Sequence, residues 1–166
     1  QADSTIDYLY RNINLAKKMH DARRLDESRI QLAYLYSSAG IYLEAATLLQ
    51  QIDTAKLDRK QLVDYYVARH KLNDELQLYS HDSVQGTQSW HLTVLYARLI
   101  VENTEPESTT HLNFKLWQAI NDRNYEQAVE ISERLCNTLP PLSRGYAEAS
   151  YMRALVADLM KDTLTA

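Results

Sequence analysis

In the stretch AYLYSSAGIYLEAATLLQQID, from Ala33 to Asp53, one glycine interrupts a run that otherwise favours helix. The whole chain of 166 residues holds only three glycines and three prolines. An all-β fold needs turn residues at every hairpin, so this scarcity argues against one. The abundant residues are strong helix formers: Leu, Ala, Glu, Gln, Lys and Arg. Gly40 is therefore read as a corner between two helices. Glycine takes the left-handed geometry that ends a helix without a Cβ penalty.

Hydrophobic periodicity predicts about eight helices. The first runs near Ser4 to Asp21, with Asp3 or Ser4 as its N-cap and one apolar face of Ile6, Leu9, Tyr10, Ile13 and Ala16. The second runs from about Leu25 to Ala39 with Asp26 as cap, and the third from Tyr42 to Ile52. A fourth follows Asp58 and reaches about Tyr79. Ser80 to Ser89, SHDSVQGTQS, reads as a polar loop carrying Gly86. A fifth helix, WHLTVLYARLIVEN, precedes a break at TEPESTT. The sixth covers Leu112 to Ile120 and the seventh Tyr125 to Leu135, stopped by Pro140-Pro141. The eighth covers about Leu142 to Lys161.

Two segments repeat a pattern. LAYLYSSAGIYLEAATLLQQI and LWQAINDRNYEQAVEISERL each hold a helix, a short break and a second helix that opens on tyrosine. Tyr42 matches Tyr125, and Ala45 matches Ala128. Each alanine follows its tyrosine by three residues, on one helical face. A small residue there lets the preceding helix cross closely, and the tyrosine fills the wedge. In the second segment the corner is Asn121-Asp122-Arg123-Asn124, where asparagine can take left-handed geometry.

On these residues the chain resembles a tetratricopeptide repeat. The best units are 26–59 and 109–142; the first matches at Ala33, Tyr36, Gly40, Tyr42, Ala45, Leu49 and Ile52. The second departs from the pattern, with Leu116 where a small residue is usual and Arg123 where glycine is usual. The expected fold is all-α, a right-handed superhelix of antiparallel helix pairs, as one domain over 1–166. YAEASYMRALVADLM looks like the first half of a further unit, so a longer chain is expected. A start at Gln1 fits a mature or cut product. The order of motifs, from ADSTIDYLYRNINLAKK to NYEQAVEISERL and YAEASYM, is similar to the N-terminal region of tetratricopeptide regulators of Bacteroidetes. That resemblance implies an exported, periplasmic helical region ahead of a membrane anchor and a cytoplasmic segment.

Charge narrows the partners. The net charge is −4 and the pI about 5.7, without the basic stripe of a nucleic-acid binder, so this segment is not expected to bind DNA or RNA. No apolar run approaches the ~20 residues of a membrane span. The single cysteine, Cys136, rules out an intrachain disulfide and reads as a small core residue. The five histidines, His20, His70, His81, His91 and His111, form no H-E-x-x-H or similar ligand pattern. His81-Asp82 falls in the predicted polar loop. No nucleophile elbow or phosphate loop is present. The expectation is a protein that is not an enzyme and has no cofactor.

Twelve tyrosines stand against one phenylalanine. Tyrosine buries its ring while keeping its hydroxyl for water or a partner. Tyr36, Tyr42, Tyr66 and Tyr125 are assigned to wedging helix pairs. Stacked helix pairs form a superhelix whose concave face is lined by the first helix of each pair, and helical counting places Tyr34, Ser37 and Ser38 there in the first unit and Asn113, Phe114 and Trp117 in the second. Tyr65 and Tyr151 are candidates from the less regular units. Aromatic rings beside amides and hydroxyls suit a groove for a peptide or protein segment. The chain is therefore read as a non-catalytic binding scaffold, the sensory or interaction region of a larger regulator. A structural or homodimerising module without its own ligand is the alternative, and a small-ligand pocket between helices is a third reading.

Overall fold

The computed structural model describes residues 2–80 and 83–164. Among the described residues there are eight α-helices and no strand: α1 (Ala2–Met19), α2 (Ala22–Ser38), α3 (Tyr42–Gln50), α4 (Arg59–Tyr79), α5 (Val84–Asn103), α6 (Thr109–Asn121), α7 (Tyr125–Thr138) and α8 (Arg144–Leu164). The chain divides into two compact units, 1–99 and 100–166, with the division inside α5.

Three corners share one backbone solution. His20, Gly40 and Arg123 are left-handed, with φ of 54°, 79° and 57°. The amide after each reaches back five residues: Asp21 to the Ala16 carbonyl, Ile41 to Tyr36 and Asn124 to Ala119, each at 2.9 Å. The left-handed residue's own amide donates three residues back, to Lys17, Ser37 and Ile120 at 3.3, 3.3 and 3.1 Å. This paired closure satisfies carbonyls that a helix end otherwise leaves open. At two of the three the next residue's side chain then caps the following helix, and Ile41 at the middle corner makes no such bond. Asp21 accepts from the Arg24 amide at 3.0 Å, and Asn124 from the Gln127 amide at 3.2 Å. Only the middle corner uses glycine. At the second unit's corner the left-handed residue is Arg123, while Asn124 serves as cap.

Several expected boundaries move. α1 begins at Ala2, so Asp3 and Ser4 lie within the helix and do not cap it. α2 begins at Ala22 under Asp21, and Asp26 instead pairs with Arg29 at 3.1 Å. The capping box of Asp58 with Gln61 opens α4 where expected. The expected loop from Ser80 to Ser89 is shorter, because α5 starts at Val84. Gly86 sits in that first turn rather than in a loop. A Cβ on it would lie 2.2 Å from the Ser80 carbonyl oxygen, so glycine permits a close backbone approach. His81-Asp82 lies outside the described residues. α6 begins earlier than expected, at Thr109 under the Ser108 hydroxyl, which accepts from the His111 amide at 3.2 Å.

In the first unit α2 packs against α1, α3 and α4. Its core joins Leu9 and Ile13 of α1 to Ile30, Leu32, Ala33 and Tyr36 of α2, Ala45 and Leu49 of α3, and Ala68 and Leu72 of α4. In the second unit α7 packs against α6 and α8 around Leu112, Leu116, Ala128, Ile131, Leu135 and Val156. Ala45 and Ala128 are fully buried at the crossings, as the repeat required. The wedging tyrosines behave alike. Tyr36 is buried and shares a hydroxyl–hydroxyl bond with Tyr10. Tyr42 meets Tyr79 edge-on at 5.6 Å, Tyr66 lies 6.0 Å from Tyr96, and Tyr125 packs on the second core.

The corners predict opposite signs for glycine exchange. At Gly40 a Cβ would meet nothing within 4 Å, so Gly40→Ala carries only the left-handed penalty, expected at about 1 kcal/mol. Arg123→Gly relieves the same penalty and is expected to stabilise by roughly 0.5 kcal/mol. Gly86→Ala, which adds a clash, is expected to cost more than Gly40→Ala. Urea melts of the three variants check this ranking; a destabilised Arg123→Gly would remove the corner account.

Candidate functional site

The first unit carries an open groove of about 490 Å³ between α1, α2 and α4. Its floor is apolar, from Leu9, Ile30, Leu35 and Val67. Tyr34 and Gln31 of α2 stand on one side, and Lys60 and Asp64 of α4 on the other. Lys60 and Asp64 pair at 3.0 Å, so that rim is close to neutral. The Lys60 ammonium is held above its ordinary range, first by its hydrogen bond to Asp64. Such a volume and lining suit an apolar segment with a few polar anchors.

The expected site residues divide by exposure. Tyr34 is 41% exposed and lines the groove. Ser38 is exposed and donates to the Tyr34 carbonyl at 3.1 Å. Ser37 points inward, buried, and donates to the Ala33 carbonyl at 2.8 Å. Tyr65 is buried too: its hydroxyl accepts from Arg69 Nε at 2.8 Å, and the guanidinium lies 5.3 Å from the ring centre. Ser37 and Tyr65 are thus buried, outside the lining of the groove, and offer no surface to a partner. In the second unit Asn113 is exposed, Phe114 and Trp117 are half-buried on α6, and Tyr151 stands out on α8. Each unit presents its own set.

Sequence reasoning missed the share of α1. Thr5 and Leu9 line the groove, and Lys60, Asp64 and Val67 complete it from α4. The 4-3 spacing of Lys60, Asp64 and Val67 was a signal that all three share a face.

Among the described residues no cluster of three or more His, Cys, Asp or Glu side chains could hold a metal ion. His70 is buried on α4, and burial, with Lys71 adding to it, pushes its imidazole down to about 4. It is neutral at ordinary pH. Asp74 is raised by burial. Cys136 is half-buried, 3.7 Å from the Ser150 hydroxyl. Among the described residues no helix is long and apolar enough to cross a membrane.

The family model for the SusR N-terminal TPR domain matches residues 1–166. The chain belongs to that family. No curated protein and no solved structure matches it. Membership agrees with the helix pairs and their corners, and it identifies a TPR domain, a type of protein-interaction scaffold. The SusR-type TPR region also fits the regulator resemblance of the sequence. TPR scaffolds are typically non-catalytic.

His70 contributes a pH dependence whose sign follows from its burial. The unfolded imidazole takes a proton below about 6.5, whereas the folded one takes it only near 4. At this site the unfolded state therefore binds more protons in that window, and the His70 contribution lowers stability by roughly 2–3 kcal/mol as pH drops from about 6.5 to 4, while Asp74, raised by burial, acts with the opposite sign. Urea melts across that range should show a shallower slope for His70→Gln than for the parent. Equal slopes would mean that the acid loss comes from carboxylates instead.

Proposed function

We propose that the domain is the interaction region of a longer regulator and holds a protein or peptide segment in the α1–α2–α4 groove. The observation that carries this reading is the groove itself. It is an apolar floor of four side chains, open to water, with a part-exposed tyrosine at its edge. Tyrosine at such an edge supplies a large contact area and a hydroxyl at low entropic cost. A groove in a TPR domain is where a scaffold would take its partner. The likeness to regulators supplies the setting, in which partner binding is the event that the rest of the protein reads. Asn113, Phe114, Trp117 and Tyr151 are proposed as a second contact set on the other unit. Ser38 is proposed as a polar rim contact beside Tyr34.

A peptide array probed with the parent domain, Tyr34→Ala and Trp117→Ala tests the reading unit by unit. Tyr34→Ala is expected to weaken binding about tenfold, in line with the loss of an aromatic anchor. Thermal melts would show the variant folded, since Tyr34 is not in the core. Retention of every parent-bound peptide by folded Tyr34→Ala would contradict a role for the groove. Loss in Trp117→Ala alone would move the site to the second unit.

A further inference from the structure

α1 has a second apolar face besides the one it buries. Tyr8, Leu15 and Met19 are 62%, 52% and 59% exposed. With Asn12 they follow a 4-3-4 spacing, which sets them in one stripe along the helix. The stripe forms one wall of a trough of about 320 Å³, and α2 forms the other with Arg24, Glu27, Ser28 and Gln31. A stripe of that spacing beside a parallel wall is the shape that receives another helix. Tyr8 to Met19 spans about 16 Å, close to three turns.

Charge along the two edges selects the helix. On the α2 edge the charges are already matched. Arg24 pairs with Asp21 at 3.4 Å, and Glu27 with Arg23 at 3.2 Å. On the opposite edge Arg11 and Lys18 are exposed, and neither makes an ion pair among the described residues. Asp7 is the acid on that flank, one turn before Arg11. The free cations therefore outnumber the acid beside the stripe. Asn12, half-buried in the stripe, would leave its amide unmatched against a wholly apolar partner, so it favours a polar residue opposite and fixes register.

We infer that the α1–α2 trough is a docking site for an amphipathic helix of a partner protein, whose apolar stripe meets Tyr8, Leu15 and Met19 and whose acidic flank meets Arg11 and Lys18. This surface is separate from the edge at Tyr34, although Gln31 lines both cavities. It does not rest on the Tyr34 groove, and Tyr34→Ala is expected to leave it unchanged.

The test uses two synthetic helices of roughly 16 residues, alike in a leucine stripe with one central asparagine. One carries glutamate on a flank and the other lysine. Fluorescence anisotropy should show the glutamate helix binding about tenfold tighter at low salt. The double variant Arg11→Glu with Lys18→Glu should invert that order. Leu15→Asp should abolish both; all three positions are exposed, so the fold is retained, as circular dichroism would verify. Equal affinity for the two helices, no inversion, no binding, or full binding to Leu15→Asp would each overturn the inference. Concentration-dependent self-association that is lost in Leu15→Asp would also overturn it, by assigning the trough to a second copy.

Discussion

The structure depends on how a helix ends. At three places the chain must reverse within two or three residues and still leave no buried carbonyl unmatched. It does so each time with one left-handed residue and an amide that reaches back five positions. That closure fixes the direction in which the next helix leaves. The fixed direction brings the following helix down at Ala45 or Ala128, where only a small side chain fits against the helix before it. Corner and alanine are thus two halves of one constraint, and the wedging tyrosines fill what it leaves over.

In the first unit the consequence is a central helix with neighbours on three sides. α2 is held by corners at both ends and packed by α1, α3 and α4. Its buried stripe is set by these contacts, so its remaining face is set as well. Tyr34 and Gln31 lie on that face, and the Tyr34 groove and the α1–α2 trough run along it. A rigid helix that presents part-exposed side chains between two others is a suitable mount for a binding surface. The free energy of a partner would then go into contacts rather than into ordering the site.

Much of this was legible in the sequence, and what was not has physical reasons. Gly40, Tyr42 and Ala45 announced their corner because glycine is scarce and the spacing is regular. The corner at 121–124 was located, but its left-handed residue is Arg123 and not an asparagine, and the corner at His20 was not read, since no glycine marks it. Asp26 resembled a cap as well as Asp21 does; only the position of the preceding corner separates them. Ser80 to Ser89 has loop composition, yet Gly86 is there for the close passage of Ser80 and not for a turn. Among the site residues, Tyr34 is part-exposed and lines the α1–α2–α4 groove. Ser37 lies on the buried face of α2 with Ile30 and Ala33, about 100° around the helix from its exposed neighbour Ser38, and Tyr65 lies on the buried face of α4 with Gln61, Ala68 and Leu72. The exposed stripe on α1 was hidden by the stronger face of Leu9, Ile13 and Ala16 beside it.

The corner constraint can be measured directly by native-state amide exchange. The amides of Asp21, Ile41 and Asn124 lie at solvent-facing bends, but each is bonded to a carbonyl five residues earlier. The next amides, of Ala22, Tyr42 and Tyr125, open their helices and have no acceptor within them. Slow exchange is expected at the first three and fast exchange at the second three, under conditions where the helices stay folded. Fast exchange at all six would contradict the corner constraint and leave the helix pairs without the closure that sets their direction.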